Sequence, residues 1–383
     1  MFLQSNIIGQ SRIWVPQTTT NGLVSVSMPL QTQNVIRATE TSSIYNQQLG
    51  NKLSEFDALR AMHQRELEQF LQGNGTRSPN TYRSRGVNMA WKYEKADIEM
   101  GGKGSANWSK SQRQEIMERG RVKGAEGHHL RNVAHHPEDQ SDPNNIGFFK
   151  TKKEHCEKGH GGDFHNESDS PMKDKNQMIK NTNTKRLIGN ELRGAGISAI
   201  ISFAAAFSIS LIVAAAQDGI TPESIKNAAL NGSNGAIIGV AGYAVGRAVA
   251  NLITPALLKA LEKVGIKVTE SISSACTMGI TGFAVIAVVS VIQFIHLKRK
   301  GYTTKNAFVL VGKTAGMSIF SLAITVTVCA IWGSGPAFYV GLAIGLVVIA
   351  YSAAKLFIEK NTASKVQELI SKLLYNKTIV KTA

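Results

Sequence analysis

Three long runs without any Asp, Glu, Lys or Arg constrain this chain more than any other feature. Gly194 to Gln217 is an uncharged run of 24 residues, Ser271 to Leu297 is one of 27, and Thr314 to Ala354 is one of 41. At about 1.5 Å rise per residue, a helix of roughly 20 apolar residues crosses the hydrocarbon core of a bilayer. The longest run contains a Gly-Ser-Gly-Pro turn at 333–336, which predicts a helical hairpin. The sequence therefore predicts an all-α, multi-pass membrane region over residues 194–357.

A further apolar stretch leaves the number of spans open between four and five. Ser233 to Leu258 contains Arg247 near its middle and Pro255 near its end, and its glycines recur at the small-xxx-small spacing of close helix contacts. Four spans place most flanking Lys and Arg on the side of the N-terminal half, as the positive-inside rule favours. The four-span topology predicts both termini in the cytoplasm, with residues 233–258 re-entrant or interfacial.

The charges divide the chain into two parts of different composition. Up to Arg193 there are 27 basic and 21 acidic residues, whereas the remainder has 16 and 6. Seven of the nine histidines lie between His128 and His165. This asymmetry excludes a single soluble globule, and the apolar content excludes disorder throughout. Three cysteines are too few for a four-thiolate zinc site.

Composition and periodicity divide the chain into five segments. These are a poorly defined N-terminal region of 1–100, a histidine-rich domain of 101–166, a polar linker of 167–193, the membrane region of 194–357 and a basic tail of 358–383. Within the first segment, apolar residues at helical spacing predict an amphipathic helix around 44–72. Alternation of polar and β-branched residues around Asn21-Gly22 predicts a hairpin over residues 12–28.

The histidine-rich segment contains several short motifs in a defined order. They are Gly127-His128-His129, His136-Pro137, Asp142-Pro143, Asn145-Ile146, Glu154-His155 and His160-Gly161-Gly162. Neighbouring side chains on an extended backbone point in opposite directions, so one histidine can bind a metal ion while the next takes a proton from water. A later histidine near the start of a helix can complete the metal site.

Together with Trp108, Gln112 and Arg113, these motifs resemble the HNH/endonuclease VII superfamily, and within it the toxin nucleases with a Gly-His-His signature. The resemblance covers residues 108–166 and implies an α+β domain of the ββα-metal type that hydrolyses phosphodiester bonds of nucleic acid. It also implies the roles of individual residues. His128 and His155 would be metal ligands with His160 as a further ligand, His129 would be the general base, and Asn145 would be the structural asparagine of the catalytic set.

The same resemblance implies a divalent metal cofactor, Mg²⁺ first and Zn²⁺, Mn²⁺ or Ni²⁺ as alternatives, and a cognate immunity protein as a partner. A neutral imidazole must act as the base, so we expect activity to fall below about pH 6.5. Five basic residues around the motif are candidates for phosphate contacts: Arg113, Arg119, Arg121, Lys123 and Arg131. A solvated helix face explains the same charges equally well.

Two hypotheses of different class follow. The first is a membrane-tethered, metal-dependent endonuclease of low sequence specificity, with DNA favoured as substrate and the nuclease domain on the cytoplasmic face. Such an enzyme would act as a toxin or as a defence nuclease. The second is a pore-forming or membrane-disrupting protein, in which the histidine-rich domain is regulatory. Loss of metal-dependent cleavage in a His129→Ala variant would distinguish the first from the second.

Overall fold

The computed structural model describes residues 17–75, 77–166, 169–217 and 219–382, most of which are helical. The helices are α1 (Gln17–Leu71), α2 (Pro79–Glu99), α3 (Lys110–Arg119), α4 (Lys152–Glu154), α5 (Lys175–Gln217), α6 (Pro222–Lys263), α7 (Glu270–Arg299), α8 (Thr304–Trp332) and α9 (Ser334–Thr382). Two strands, β1 (Glu126–His129) and β2 (Ile146–Phe149), pair antiparallel between α3 and α4. A π-helical turn, His155–Gly159, follows α4 directly. The described part of the chain is thus mostly helical, with a small two-stranded sheet in the histidine-rich segment and apolar helices after it.

The predicted N-terminal hairpin is wrong for the residues that the structure describes. Residues 17–28, including Asn21-Gly22, lie in the helix α1, and residues 12–16 lie outside the described part of the chain. Alternation over a dozen residues does not by itself distinguish a strand from a helix, because both can place apolar residues at short intervals.

The chain forms two compact units, and α1 and α5 contribute residues to both. One unit comprises residues 41–190, and the other comprises residues 1–40 together with 191–383. The first unit contains the sheet and the histidine-rich segment, so we call it the histidine unit. The second contains the long uncharged runs, so we call it the helical unit.

The core of the histidine unit is aromatic and lies beside the sheet. Trp91 of α2 packs on Trp108 and on Phe148 of β2, with ring centroids 5.5 Å and 4.1 Å apart. The buried carboxylate of Glu94 accepts hydrogen bonds from Trp108 Nε1 at 2.7 Å and from Lys175 Nζ at 3.4 Å. A buried carboxylate needs such partners, since desolvation without them is costly. These contacts fix α2, the segment before α3 and the start of α5 around one core.

Among the described residues, four helices, α5 to α8, are long and apolar enough to cross a membrane. Their outer surfaces carry large apolar side chains such as Ile200, Leu252 and Phe320, which are 70%, 78% and 68% exposed. A soluble surface rarely exposes apolar area on this scale, whereas a lipid-facing one does. The helices therefore suggest a membrane protein.

The glycines of α6 allow close contact with neighbouring helices, as their spacing predicts. A methyl group at Gly239 would lie 2.5 Å from the carbonyl oxygen of Ser198 in α5, and one at Gly246 would lie 2.8 Å from Thr281 Cγ2 in α7. Approach this close is possible only without a side chain, because real Cβ atoms do not come so near to backbone atoms.

Candidate metal centre

The Gly-His-His motif forms β1, whose geometry separates the two histidines. β1 pairs with β2 so that His128 faces Gly147 and Glu126 faces Phe149. Alternation along a strand sends His128 and His129 to opposite faces and places Glu126 on the same face as His128. Gly127 allows α2 to pack closely on β1, because a methyl group at this position would lie 2.9 Å from Val87 Cγ1 of α2.

The structure brings together the three histidines predicted as metal ligands. His128, His155 and His160 each offer a ring nitrogen, and these atoms all lie within 4.8 Å of one another. His128 Nδ1 is 3.1 Å from His155 Nε2. Two nitrogens bound at about 2.05 Å to one tetrahedral ion lie roughly 3.3 Å apart, so this spacing suits a shared ion. His160 Nδ1 is buried without a hydrogen-bond partner, which is a further sign that the cluster fits a metal.

The π-helical turn lets two ligands from one short segment face the same point. His155 begins this turn and His160 follows its last residue, and the i→i+5 hydrogen bonding of a π-helix widens the turn. Gly159 keeps the space between them open, because a methyl group there would lie 2.9 Å from His155 Cδ2 and 3.3 Å from His128 Nδ1.

Glu126 orients one of the candidate ligands, His155, and the sequence interpretation did not single it out. Its Oε2 accepts a hydrogen bond from His155 Nδ1 at 2.6 Å. The proton on Nδ1 leaves the lone pair of the ring on Nε2, which faces His128. The i, i+2 spacing of Glu126 and His128 on a strand was the signal that could have identified this residue.

Burial keeps the imidazoles of β1 neutral. Burial, together with the smaller effects of the neighbouring rings of His155, His160 and His129, lowers the pKa of His128 to about 4. Burial also lowers the pKa of His129, an effect that its hydrogen bond to Gln140 opposes. A neutral ring is required both of a ligand and of a general base.

His129 points away from the cluster and is held in one tautomer. The carbonyl oxygen of Gln140 lies 3.0 Å from His129 Nε2, and a carbonyl can only accept, so Nε2 carries the proton. The lone pair is therefore on Nδ1, where it can take a proton. Gln140 acts through its backbone, which no sequence motif reveals.

Asn145 lies in the loop region rather than in the metal cluster. It is fully buried, its Oδ1 accepts from Arg131 N at 2.6 Å, and its Nδ2 donates to the carbonyl oxygens of Arg131 and Asp139. These bonds join the residue before β2 to the loop that follows β1. The hydrogen bonds of Asn145 thus fix the loop and with it the position of His129.

The five basic residues predicted to contact phosphate are not equivalent. Arg113 donates to the carbonyl oxygen of Trp108 at 2.7 Å, and Arg131 pairs with Asp139 at 2.5 Å. Arg119, Arg121 and Lys123 are exposed near the end of α3, and Arg119 lies 4.0 Å from Glu115. Arg113 and Arg131 therefore have close structural partners, whereas Arg119, Arg121 and Lys123 are exposed and Arg119 has only a long contact with Glu115.

Comparison with curated proteins and with solved structures gives no match. The comparison with protein families gives one, and it covers α2, α3 and the sheet of the histidine unit. The resemblance inferred from the sequence is confirmed: residues 74–150 match the family described as GHH signature containing HNH/Endo VII superfamily nuclease toxin.

Proposed function

We propose that the chain is a metal-dependent endonuclease of the ββα-metal type, anchored in a membrane by its helical unit. The observation that carries this proposal is the cluster of His128, His155 and His160 beside a neutral, tautomerically fixed His129. Strand β1 supplies His128 and His129, and the π-helical turn with the residue after it supplies His155 and His160. The family match supports the reaction class.

Each side chain has a distinct part in the reaction that we propose. His129 takes a proton from the attacking water at Nδ1, because its Nε2 is already donating to Gln140. Asn145 holds the loop that carries this ring in position. A divalent ion on the three imidazoles would supply Lewis-acid stabilisation of the charge that develops on the phosphate and leaving oxygens. Exposed cations such as Arg121 and Lys123 hold the phosphate backbone without reading sequence.

The donor set favours a transition metal over the Mg²⁺ expected from the sequence. All three candidate ligands are imidazoles, and Glu126 is engaged by His155. Imidazole nitrogens suit Zn²⁺ and Ni²⁺, whereas Mg²⁺ prefers oxygen ligands. We therefore propose Zn²⁺ or Ni²⁺ as the ion that binds most tightly to this site.

The substrate that we propose is DNA, cut with low sequence specificity. The candidate contacts are cationic side chains, which bind phosphate in any sequence and weaken with salt. A nuclease of this kind is harmful to the cell that makes it, so we propose a neutralising immunity protein as partner. A toxin and a defence nuclease share this requirement.

Plasmid cleavage by the purified full-length chain tests the enzymatic proposal. The protein is stripped of metal and then assayed with Zn²⁺, Ni²⁺, Mn²⁺ or Mg²⁺. We expect cleavage with a transition metal, and loss of cleavage in His128→Ala and in His129→Ala. His165→Ala is the matched control, because His165 is exposed in the same segment and lies outside the cluster. Absence of cleavage under every metal would contradict the proposal and favour a membrane-disrupting role.

We further propose that the histidine unit lies on the cytoplasmic face of the membrane. The excess of Lys and Arg near the ends of the apolar helices supports this orientation. A reporter fused after Ala383 that is active only in the cytoplasm is the expected result for an even number of spans. Activity only outside the cytoplasm would contradict the proposed topology.

A further inference from the structure

One face of α2 lies against the segment that holds His129. A methyl group at Gly86 would lie 2.7 Å from the carbonyl oxygen of Gln140, which is the oxygen that accepts from His129. Val87, on the same face, lies against Gly127 of β1. Residues three and four apart share a helix face, so Arg83 lies on this face one turn closer to the start of α2.

Arg83 has no carboxylate partner among the described residues, unlike Arg60 and Arg85. Arg85 pairs with Glu66 at 2.6 Å, and Arg60 pairs with Asp142 at 3.2 Å. Arg83 is exposed, and none of the ion pairs among the described residues involves it. An arginine without an acidic neighbour keeps all five donors available for an anion.

Gly127 and His129 share one face of β1, because side chains two apart on a strand point to the same side. Val87 lies against Gly127, so α2 packs over the face of β1 from which the ring of His129 projects, and Arg83 lies one turn along the same face of α2. A cation at this position could pair with the negative charge of a phosphate next to the attacking water.

We propose that Arg83 is a substrate-binding residue that contacts a non-bridging phosphate oxygen of the nucleic acid beside His129. This inference rests on the nuclease function proposed above. The planar guanidinium can donate two parallel hydrogen bonds to one phosphate, which orients it as well as attracting it. The chain then holds the phosphate from α2 while His129, on β1, takes the proton from water.

Binding of a short DNA duplex to the metal-free full-length chain tests this role without cleavage. Affinity is measured over a range of salt concentrations for the wild type, Arg83→Ala, Arg83→Lys and Lys92→Ala. Lys92 is the matched control, since it is an exposed cation of the same helix, nine residues later and so on the opposite face. Circular dichroism of each variant checks that the fold is kept.

We expect Arg83→Ala to bind roughly tenfold more weakly than the wild type, as loss of a charge-assisted hydrogen bond predicts. The slope of log affinity against log salt should decrease by about 0.9, the value for one phosphate contact. Arg83→Lys should keep the slope, and Lys92→Ala should keep both slope and affinity. Single-turnover cleavage by the metal-loaded chain should fall at least as far in Arg83→Ala, because the contact also stabilises charge in the transition state.

The role of Arg83 would be overturned if the Arg83→Ala variant had the same affinity and salt slope as the wild-type protein. If the wild-type protein cleaves DNA in the same experiments, the nuclease function would remain intact. An equal decrease in Lys92→Ala would also overturn the role of Arg83, since it would show a general effect of net charge. A wild type that neither binds nor cleaves nucleic acid with any metal would refute the nuclease function, and the role of Arg83 with it.

Discussion

Replacement of Glu126 by Gln tests whether the carboxylate tunes the metal cluster. Glu126 Oε2 lies 2.6 Å from His155 Nδ1, and its side chain is 37% exposed while that of His155 is 13% exposed. Glutamine keeps an acceptor for the Nδ1 proton and removes only the charge. Loss of a carboxylate that supports a ligating histidine weakens metal binding by about 10- to 100-fold.

The exposure of Glu126 places the expected effect at the low end of that range. Solvent screens a carboxylate that is more than a third exposed, so we expect Zn²⁺ to bind about tenfold more weakly, or roughly 1.4 kcal/mol. Glu126→Ala, which also removes the acceptor, should cost more than Glu126→Gln. Neither substitution should change the fold, since Glu126 lies outside the aromatic core.

Competition titration of the metal-free full-length chain with Zn²⁺ and a chelator measures the effect. Glu157→Gln is the matched control, because it removes one carboxylate from the π-helical turn whose partner is Lys153 rather than a histidine. Zn²⁺ affinity equal to wild type in both Glu126 variants would refute the reasoning. Equal weakening in Glu157→Gln would attribute the effect to net charge rather than to the contact with His155.

Three more predictions follow from the packing and electrostatics. Burial lowers the pKa of His129 below the ordinary value of 6.5, so cleavage at saturating metal should be lost only at a pH below 6.5. Loss of cleavage that begins above pH 6.5 would contradict this. Gly127→Ala should destabilise the histidine unit by about 1–3 kcal/mol through contact with Val87, measured by thermal unfolding, and Val87→Ala should rescue it; failure of rescue would refute the steric cause. Arg247→Ala should lower the thermal stability of the full-length chain in detergent more than Lys259→Ala, which removes an exposed cation of the same helix. Equal loss in both variants would show that the partners of Arg247 contribute nothing specific.

The grouping of His128, His155 and His160 could be predicted from the sequence because its geometry is local. Adjacent histidines on a strand and two later histidines in a short helical segment leave few arrangements, and the predicted ligands do come together. The sequence could not predict the hydrogen bonds that hold these histidines in position. The tautomer of His129 depends on a carbonyl eleven residues away, and backbone groups carry no sequence signature.

The polar stretch before the apolar region shows a different limit of sequence reasoning. Composition predicts a linker over residues 167–193, yet Lys175 is buried against Glu94, and Ile179 and Asn183 are buried as well. Hydropathy scales assign Lys and Asn to the solvent-exposed class, because these scales contain no information about tertiary partners. The burial of these residues is therefore set by their tertiary contacts.

The helical unit contains a polar segment that hydropathy does not identify. Residues 28–40 of α1 precede the apolar runs by more than 150 positions, but Gln31 and Val35 are buried within this unit. Gln31 Nε2 donates to Ser202 Oγ at 2.7 Å, and Asn34 Nδ2 donates to Ser198 Oγ at 2.8 Å, both on α5.

The guanidinium of Arg247, on α6, contacts the same face of α1 further along and thereby joins three helices. It donates to the hydroxyl of Thr39 on α1 and to the carboxylate of Glu191 on α5, the latter at 2.8 Å. Arg247 had been the reason to doubt that α6 could enter an apolar environment. Its charge is instead matched by a carboxylate and spread over hydroxyl and carbonyl acceptors, which is the arrangement that makes an ionisable side chain tolerable among apolar helices. The single charge between Ser233 and Leu258 is therefore bonded to α1 and α5, and it does not argue against an apolar setting for this part of α6.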